Sequence, residues 1–220
     1  MRHLQRRATH PDPPGPLSSA PARDVPAGNV PAELNRFVGR TDELAALRGL
    51  LEDSRLVTAV GAAGVGKTRC VSRVAALLEK RYCDGVWLTD LSPVHDPELL
   101  EHAVAEALGL TDHTSRPPRA ALVEHLRGRR ALLVLDGFEH LVDACADLVR
   151  ELLRRAPGLR VLAAGRRPLL VSGEVTFTLA PMCEADAVEL FEERARAVRP
   201  EWRPTAADRA AAEELCRRLD

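Results

Sequence analysis

The 220 residues are 45% hydrophobic and carry 31 Lys and Arg against 32 Asp and Glu, a net charge of −1. That length can bury a substantial core, and the basic residues are spread along the chain rather than massed, which argues against a nucleic-acid or membrane surface. Cys70, Cys83, Cys145, Cys183 and Cys216 are odd in number, far apart and without CxxC spacing, the pattern of reduced, mostly buried thiols in a cytoplasmic protein rather than of a disulfide or zinc framework.

Arg2, Arg6 and Arg7 are followed by THPDPPGPLSSAPARDVP and not by an apolar stretch, so neither an export signal nor a membrane span is expected. Seven of the 16 prolines fall within the first 31 residues. Residues 1–28 are therefore expected to be a disordered, proline-rich tail or linker, with the fold beginning near Asn29. In FVGRTDELAALRGLLED, Thr41 is placed to cap a helix, Asp42 and Glu43 lie in its first turn, and Leu44, Leu47 and Leu51 share one face.

Four apolar runs follow, LVTAV, VWLTDL, ALLVLD and LRVLAAG, alternating with segments of helical period. This is the pattern of a doubly wound α/β fold, a parallel sheet covered on both faces. A fifth strand, EVTFTLA, is expected after Gly173. The clearest helix is expected to begin at about Phe138 and to run through Leu141, Val142, Cys145, Leu148, Val149, Leu152 and Leu153 until Pro157 and Gly158 stop it. Two more close the chain, one through Ala187, Leu190, Phe191 and Ala195, the other through Ala207, Ala211, Leu215 and Leu219.

The segment GAAGVGKT fits G-x-x-x-x-G-K-[ST] with Gly61, Gly66, Lys67 and Thr68, and lies between a strand-like run and a helical stretch. In a loop of this kind the backbone amides of Gly61, Ala62, Ala63, Gly64, Val65 and Gly66 converge on phosphate. The next helix, opening with Lys67, Thr68 and Arg69, presents its positive end. Lys67 is expected to reach the β- and γ-phosphates of ATP, and Thr68 to hold Mg²⁺. Asp136 ends the buried run ALLVLD at the carboxyl edge of the sheet, where it can hold the same ion through water. On its own it would read equally as the cap of the helix expected at Phe138.

The next residue is Gly137, where many P-loop ATPases carry a Glu that activates the attacking water. Glu139 follows in what is expected to be helix, which would turn it away. Fast hydrolysis is therefore not expected. Arg166, directly after the fourth run, is placed to sense a γ-phosphate, the other reading being a solvated Arg166–Arg167 pair before Pro168.

NVPAELNRFVGRTDELAALRGLLEDSRLVTAVGAAGVGKTR, LLVLDGFEHLVDAC and LRVLAAGRRPLLVSGE, in that order, resemble the NB-ARC-type ATPase domain of bacterial STAND regulators, found in LuxR-type and SARP-type transcriptional regulators. The resemblance runs from about Asn29 to Asp220. It implies a P-loop NTPase domain over 29–181, of the additional-strand class with strand order 5-1-4-3-2, followed by the start of a helical lid over 182–220. Phe37, Val38, Gly39 and Arg40 would lie beside the adenine, and exchange of ATP for ADP would drive a switch. Catalytic roles fall to Lys67, Asp136 and Arg166. DNA binding and ligand sensing would belong to other domains or partners, and copies of the chain would assemble in response to the nucleotide.

Where that family usually has Asn after the strand Asp this chain has Gly137, and where it usually has Thr-Ser-Arg it has Ala164, Gly165 and Arg166, so hydroxyl contacts are lost. The family continues past a stretch like CRRLD into a Gly-Leu-Pro-Leu-Ala segment, so a fragment or truncated product is expected. The other functional class is a P-loop kinase acting on a small acceptor. It would need an acceptor pocket and an Arg-rich lid, for which Gly165, Arg166 and Arg167 are the nearest match. His95, His102, His113, His125 and His140 show no ligand spacing, and surface or capping roles are expected.

Overall fold

The computed structural model describes residues 28–110 and 116–219. All of the proline-rich segment except Gly28 lies outside them, as does His113. The elements run α1 (Thr41–Asp53), β1 (Leu56–Val60), α2 (Lys67–Leu78), β2 (Val86–Asp90), α3 (Leu100–Ala107), α4 (Pro118–Leu126), β3 (Leu132–Asp136), α5 (Val142–Arg155), β4 (Arg160–Gly165), β5 (Glu174–Thr178), α6 (Glu184–Val198) and α7 (Ala206–Leu219).

Each apolar run becomes a strand whose alternate residues face opposite layers. Val57, Ala59, Leu132, Val134, Leu162 and Ala164 pack with Leu47 and Leu51 of α1 and with Val71, Val74 and Leu78 of α2. Their neighbours Leu56, Leu133, Leu135, Val161 and Ala163 pack with α3, α4 and α5 through Val104, Leu122, Leu148 and Leu152. The five strands are parallel and ordered β2-β3-β4-β1-β5, which is the expected 5-1-4-3-2 read from the other edge. The β2 edge is covered by the chain entering the fold. Asn29 accepts from the Leu88 amide through Oδ1 at 2.6 Å and donates from Nδ2 to the carbonyls of Leu88 at 2.9 Å and Ala107 at 3.2 Å.

Three local expectations are corrected. Arg40, with left-handed φ of 58°, takes the cap position of α1, and Thr41 is the first helical residue. Helix α5 starts at Val142 instead of Phe138 because Gly137, at φ 74°, turns the chain, and the Leu141 amide closes that turn on the Phe138 carbonyl at 2.8 Å. Asp136 therefore caps no helix. Only Cys70 and Cys145 are buried, while Cys83 and Cys183 are exposed and Cys216 is half-buried. Burial pushes the Cys70 thiol up to about 11 and the Cys145 thiol up to about 12, so both are protonated core residues. No described helix is long and apolar enough to cross a membrane.

Candidate functional site

The loop from Gly61 to Gly66 joins the buried β1 to α2. Gly66 holds the N-cap position of α2 without a side-chain cap, so the first amides of that helix are left for another acceptor. Lys67 folds back over the loop mouth, its Nζ donating to the carbonyls of Gly61 at 3.0 Å and Ala62 at 2.9 Å. Ala62, Ala63, Gly64, Thr68 and Arg69 are exposed, and Val65 is half-buried. The result is an open loop of donors beside an ammonium, suited to phosphate.

Asp136 ends β3, only 7% exposed. Burial pushes its carboxyl above the ordinary range and the charges of Asp90 and Glu139 add to this, while hydrogen bonding from the Thr68 side chain and the Gly137 amide opposes it. Asp136 and Thr68 thus come together as expected from their spacing. Two neighbours were missed or misplaced. Asp90 ends β2 directly in register with Asp136, although VWLTDL and ALLVLD show the same strand-ending Asp. Glu139 lies in the turn before α5, so helical geometry does not turn it away. Among the described residues no three His, Cys, Asp or Glu side chains are grouped to hold a metal by themselves.

Position 137 is closed. A Cβ there would lie 2.1 Å from Ser92 Oγ and 3.0 Å from the Ser92 amide nitrogen, and the φ of 74° is one that side chains rarely adopt. Ser92 is itself held by its amide, which donates to Asp90 Oδ1 at 2.9 Å.

Arg166 follows β4, whose last residue Gly165 pairs in register with Val60 just before Gly61. The side chain is exposed and belongs to none of the ion pairs among the described residues. It is at the same sheet edge as the loop, with its guanidinium uncommitted.

Beside the loop lies a cavity of about 700 Å³, lined by Phe37 and Val38, by Pro181, and by Met182, Leu190 and Phe191 of the C-terminal helical segment expected to be a lid. Arg69 and Arg194 also line it. The lid residues were missed because an amphipathic helix shows in sequence which face is apolar but not what that face covers. Arg40, expected beside the base, also lines this cavity, with its guanidinium committed to other groups of the protein. It is 3% exposed, and its guanidinium donates to the carbonyls of Val65 at 2.7 Å and Ala180 at 3.0 Å and to Glu43 Oε1 at 3.1 Å. Its amide donates to Asp186 Oδ2 of α6 at 3.1 Å. Asp186 also packs on Gly39, where a Cβ would meet Oδ2 at 2.0 Å. Arg40 therefore ties the phosphate loop, the strand end and the lid to one another.

The profile of the AAA domain family matches residues 50–170, from the end of α1 to the loop after Arg166. A Mycobacterium tuberculosis protein provisionally named an HTH-type transcriptional regulator is 43% identical over 175 residues, covering 79% of this chain and 20% of its own. An uncharacterised Mycobacterium tuberculosis protein is 39% identical over 188 residues, covering 85% of this chain and 48% of its own. The chain thus spans less than half the length of either relative.

Among solved structures, the STAND protein with a tetratricopeptide repeat sensor from Pyrococcus horikoshii superposes with a TM-score of 0.56 at 17% identity, over 87% of this chain and 28% of that one. The Aeropyrum pernix ORC2 protein, in its ADPNP and ADP complexes, does so with a TM-score of 0.55 at 16% identity, over 74% and 54%. At these identities the likeness is one of fold: a P-loop NTPase sheet.

Proposed function

The chain belongs to the AAA domain family of P-loop ATPases, and from that premise we propose that it is an ATP- and ADP-binding switch with slow hydrolysis, the nucleotide-binding part of a bacterial transcriptional regulator. The observation that carries this reading is the pairing of a complete set of binding groups with a closed position 137. Lys67 swings from the loop carbonyls to the β- and γ-phosphates, and the loop amides and the start of α2 hold the remaining oxygens. Thr68 and Asp136 offer a hydroxyl and a buried carboxylate, hard oxygen donors that fit Mg²⁺. When bound, that ion neutralises phosphate charge and orients the γ-phosphoryl group.

Arg166 reads the γ-phosphate. The cavity between Phe37 and the lid takes the base, with Val38, Arg40 and Arg69 in its wall and Gly39 in the turn beside it. At position 137, Ser92 leaves no room for a water-activating side chain, so bound ATP persists and its γ-phosphate holds one arrangement until it is lost. DNA recognition falls to other domains, a reading supported by the regulator among the relatives and by the net charge of −1. Self-association that follows the nucleotide state and a cytoplasmic setting complete the proposal.

Phosphate release in a single turnover with Mg²⁺ and ATP tests it. The expected rate lies well below the roughly 1–1000 per second usual for enzymes. Rapid release that disappears in Glu139→Gln would overturn the slow switch and make Glu139 the base.

A further inference from the structure

The loop from Arg166 to Gly173, which carries the free guanidinium of Arg166 from β4 to β5, holds a shape that burial alone does not explain. Leu169 and Val171 are buried, but Leu170 between them is 82% exposed and sits at φ 59°. The left-handed region is unfavourable for a branched side chain, and an exposed leucine gains nothing from packing to offset it.

The group that holds the loop is the carboxylate of Glu174, the first residue of β5. Its Oε1 accepts from the Leu169 amide at 2.9 Å, and its Oε2 accepts from the Leu170 amide at 2.7 Å and the Val171 amide at 3.4 Å. Oε1 also accepts from the Thr58 hydroxyl at 2.5 Å. Thr58 is fully buried in the middle of β1, the strand that runs into the phosphate loop at Gly61. One carboxylate thus gathers three consecutive amides of the loop and fastens them to the strand that delivers the phosphate grip. Charged acceptors make strong hydrogen bonds of this kind, and successive amides in a left-handed turn form a natural anion nest. In this protein the nest is filled from within.

We propose that Glu174 is the positioning residue of the γ-phosphate sensor: it touches no nucleotide, and by fixing residues 169–171 to β1 it sets Arg166 at the distance from the loop at which ATP is told from ADP. The inference rests on the reading of Arg166 as that sensor. A carboxylate is required because all four of its partners are donors. The amide of a glutamine, isosteric with it, would turn two N–H groups toward other N–H groups and lose half of the acceptors.

The test is the ratio of ADP to ATP dissociation constants, measured by calorimetry with Mg²⁺ for the parent, Arg166→Ala, Glu174→Gln and the double variant. Arg166→Ala is expected to weaken ATP about tenfold or more and leave ADP within about twofold. Glu174→Gln is expected to do the same in direction, and the double variant to lose no more than Arg166→Ala alone, because the two residues act through one contact. Loss of ATP preference in Arg166→Ala but not in Glu174→Gln would overturn the role of Glu174 and leave the sensor standing. An unchanged ratio in Arg166→Ala would remove the sensor and this inference with it.

If Glu174→Gln does not fold, Thr58→Val unties the carboxylate from β1 while leaving the loop amides bonded. A smaller fall in the ratio, with ADP affinity unchanged, is then expected. No change there would overturn the proposal.

Discussion

The two walls of the cavity beside the Gly61–Gly66 loop are built on different principles. The sheet edge holds Asp136 and the Gly61–Gly66 loop, which leads to Thr68 at the start of α2, on strands whose residues are almost all buried between two helical layers. In the lid, by contrast, Glu192 is the buried residue of α6 and Ala212 that of α7. Ion pairs tie the two helices together, Glu192 with Arg209 and Glu184 with Arg217, while Glu192 also pairs with Arg196 within α6. Each of these pairs keeps its arginine in solvent, and pairs screened in this way contribute about 0.2–1 kcal/mol each, less than buried apolar side chains at about 1.5–3 kcal/mol each. The end that carries the Gly61–Gly66 loop and Asp136 is fixed, and the end that carries α6 and α7 is lightly held. Arg40 and Asp186 join the two across the cavity.

Gly137→Glu breaks the rigid side most severely. Left-handed strain and the collision with Ser92 together are expected to remove roughly 2–6 kcal/mol, a fall in Tm of about 10 °C by calorimetry. An undiminished Tm would show that the sheet edge yields more than its burial implies.

Lys67→Ala tests function on the same side without touching its packing. A charged hydrogen bond contributes about 1.5–3 kcal/mol, so ATP should bind roughly ten- to a hundredfold more weakly. Titration with a fluorescent analogue measures this, and equal affinity would remove Lys67 from the phosphate site.

Asp136→Asn sharpens the comparison through pH. Because the folded carboxyl titrates above its ordinary 3.8, the folded protein binds that proton more readily than the unfolded chain. The resulting stability is full below the ordinary carboxylate pKa and is lost as pH rises through the higher folded value. Near neutrality the ionised group is therefore a cost to stability, one that fits the proposed role of Asp136 in holding Mg²⁺. The variant is expected to melt higher than the parent at pH 7, with the gain shrinking as pH falls toward 4, and to lose Mg²⁺-dependent ATP binding. A Tm difference independent of pH would contradict the shifted carboxyl.

Glu192→Gln is the mildest change and falls on the lid. Loss of its pairs with Arg196 and Arg209 is expected to remove at most about 1 kcal/mol. Amide exchange should quicken in α6 and α7 and stay unchanged in β1, β3 and β4. Uniform quickening would mean that the lid and sheet open as one unit.

The sheet was legible in the sequence because parallel strands buried on both faces must be continuous apolar runs, and the loop was legible because phosphate binding demands glycines at fixed spacing. Asp136 followed from its place at the end of such a run. What stayed hidden depended on contacts between distant segments. Asp90 carries the same local signature as Asp136, but only the strand order sets the two side by side. Arg40 reads as one more arginine near a base until the fold surrounds it with the Val65 and Ala180 carbonyls. The start of α5 was misplaced because Phe138 fits the helical period while actually packing from a turn against Gly165. The four donors on Glu174 come from the loop just before it and from Thr58 of β1, and no spacing rule connects that strand to the loop.

Asn29 lies beside β2, where an open sheet edge would offer its unpaired amides and carbonyls to any passing chain. Its side-chain amide presents a donor and an acceptor with the spacing of a peptide group, and both are already engaged with Leu88. One residue acts here as a one-unit strand. At Leu88 the sheet is thereby denied a template for growth, while among the described residues β5, at the opposite flank, pairs with β1 alone.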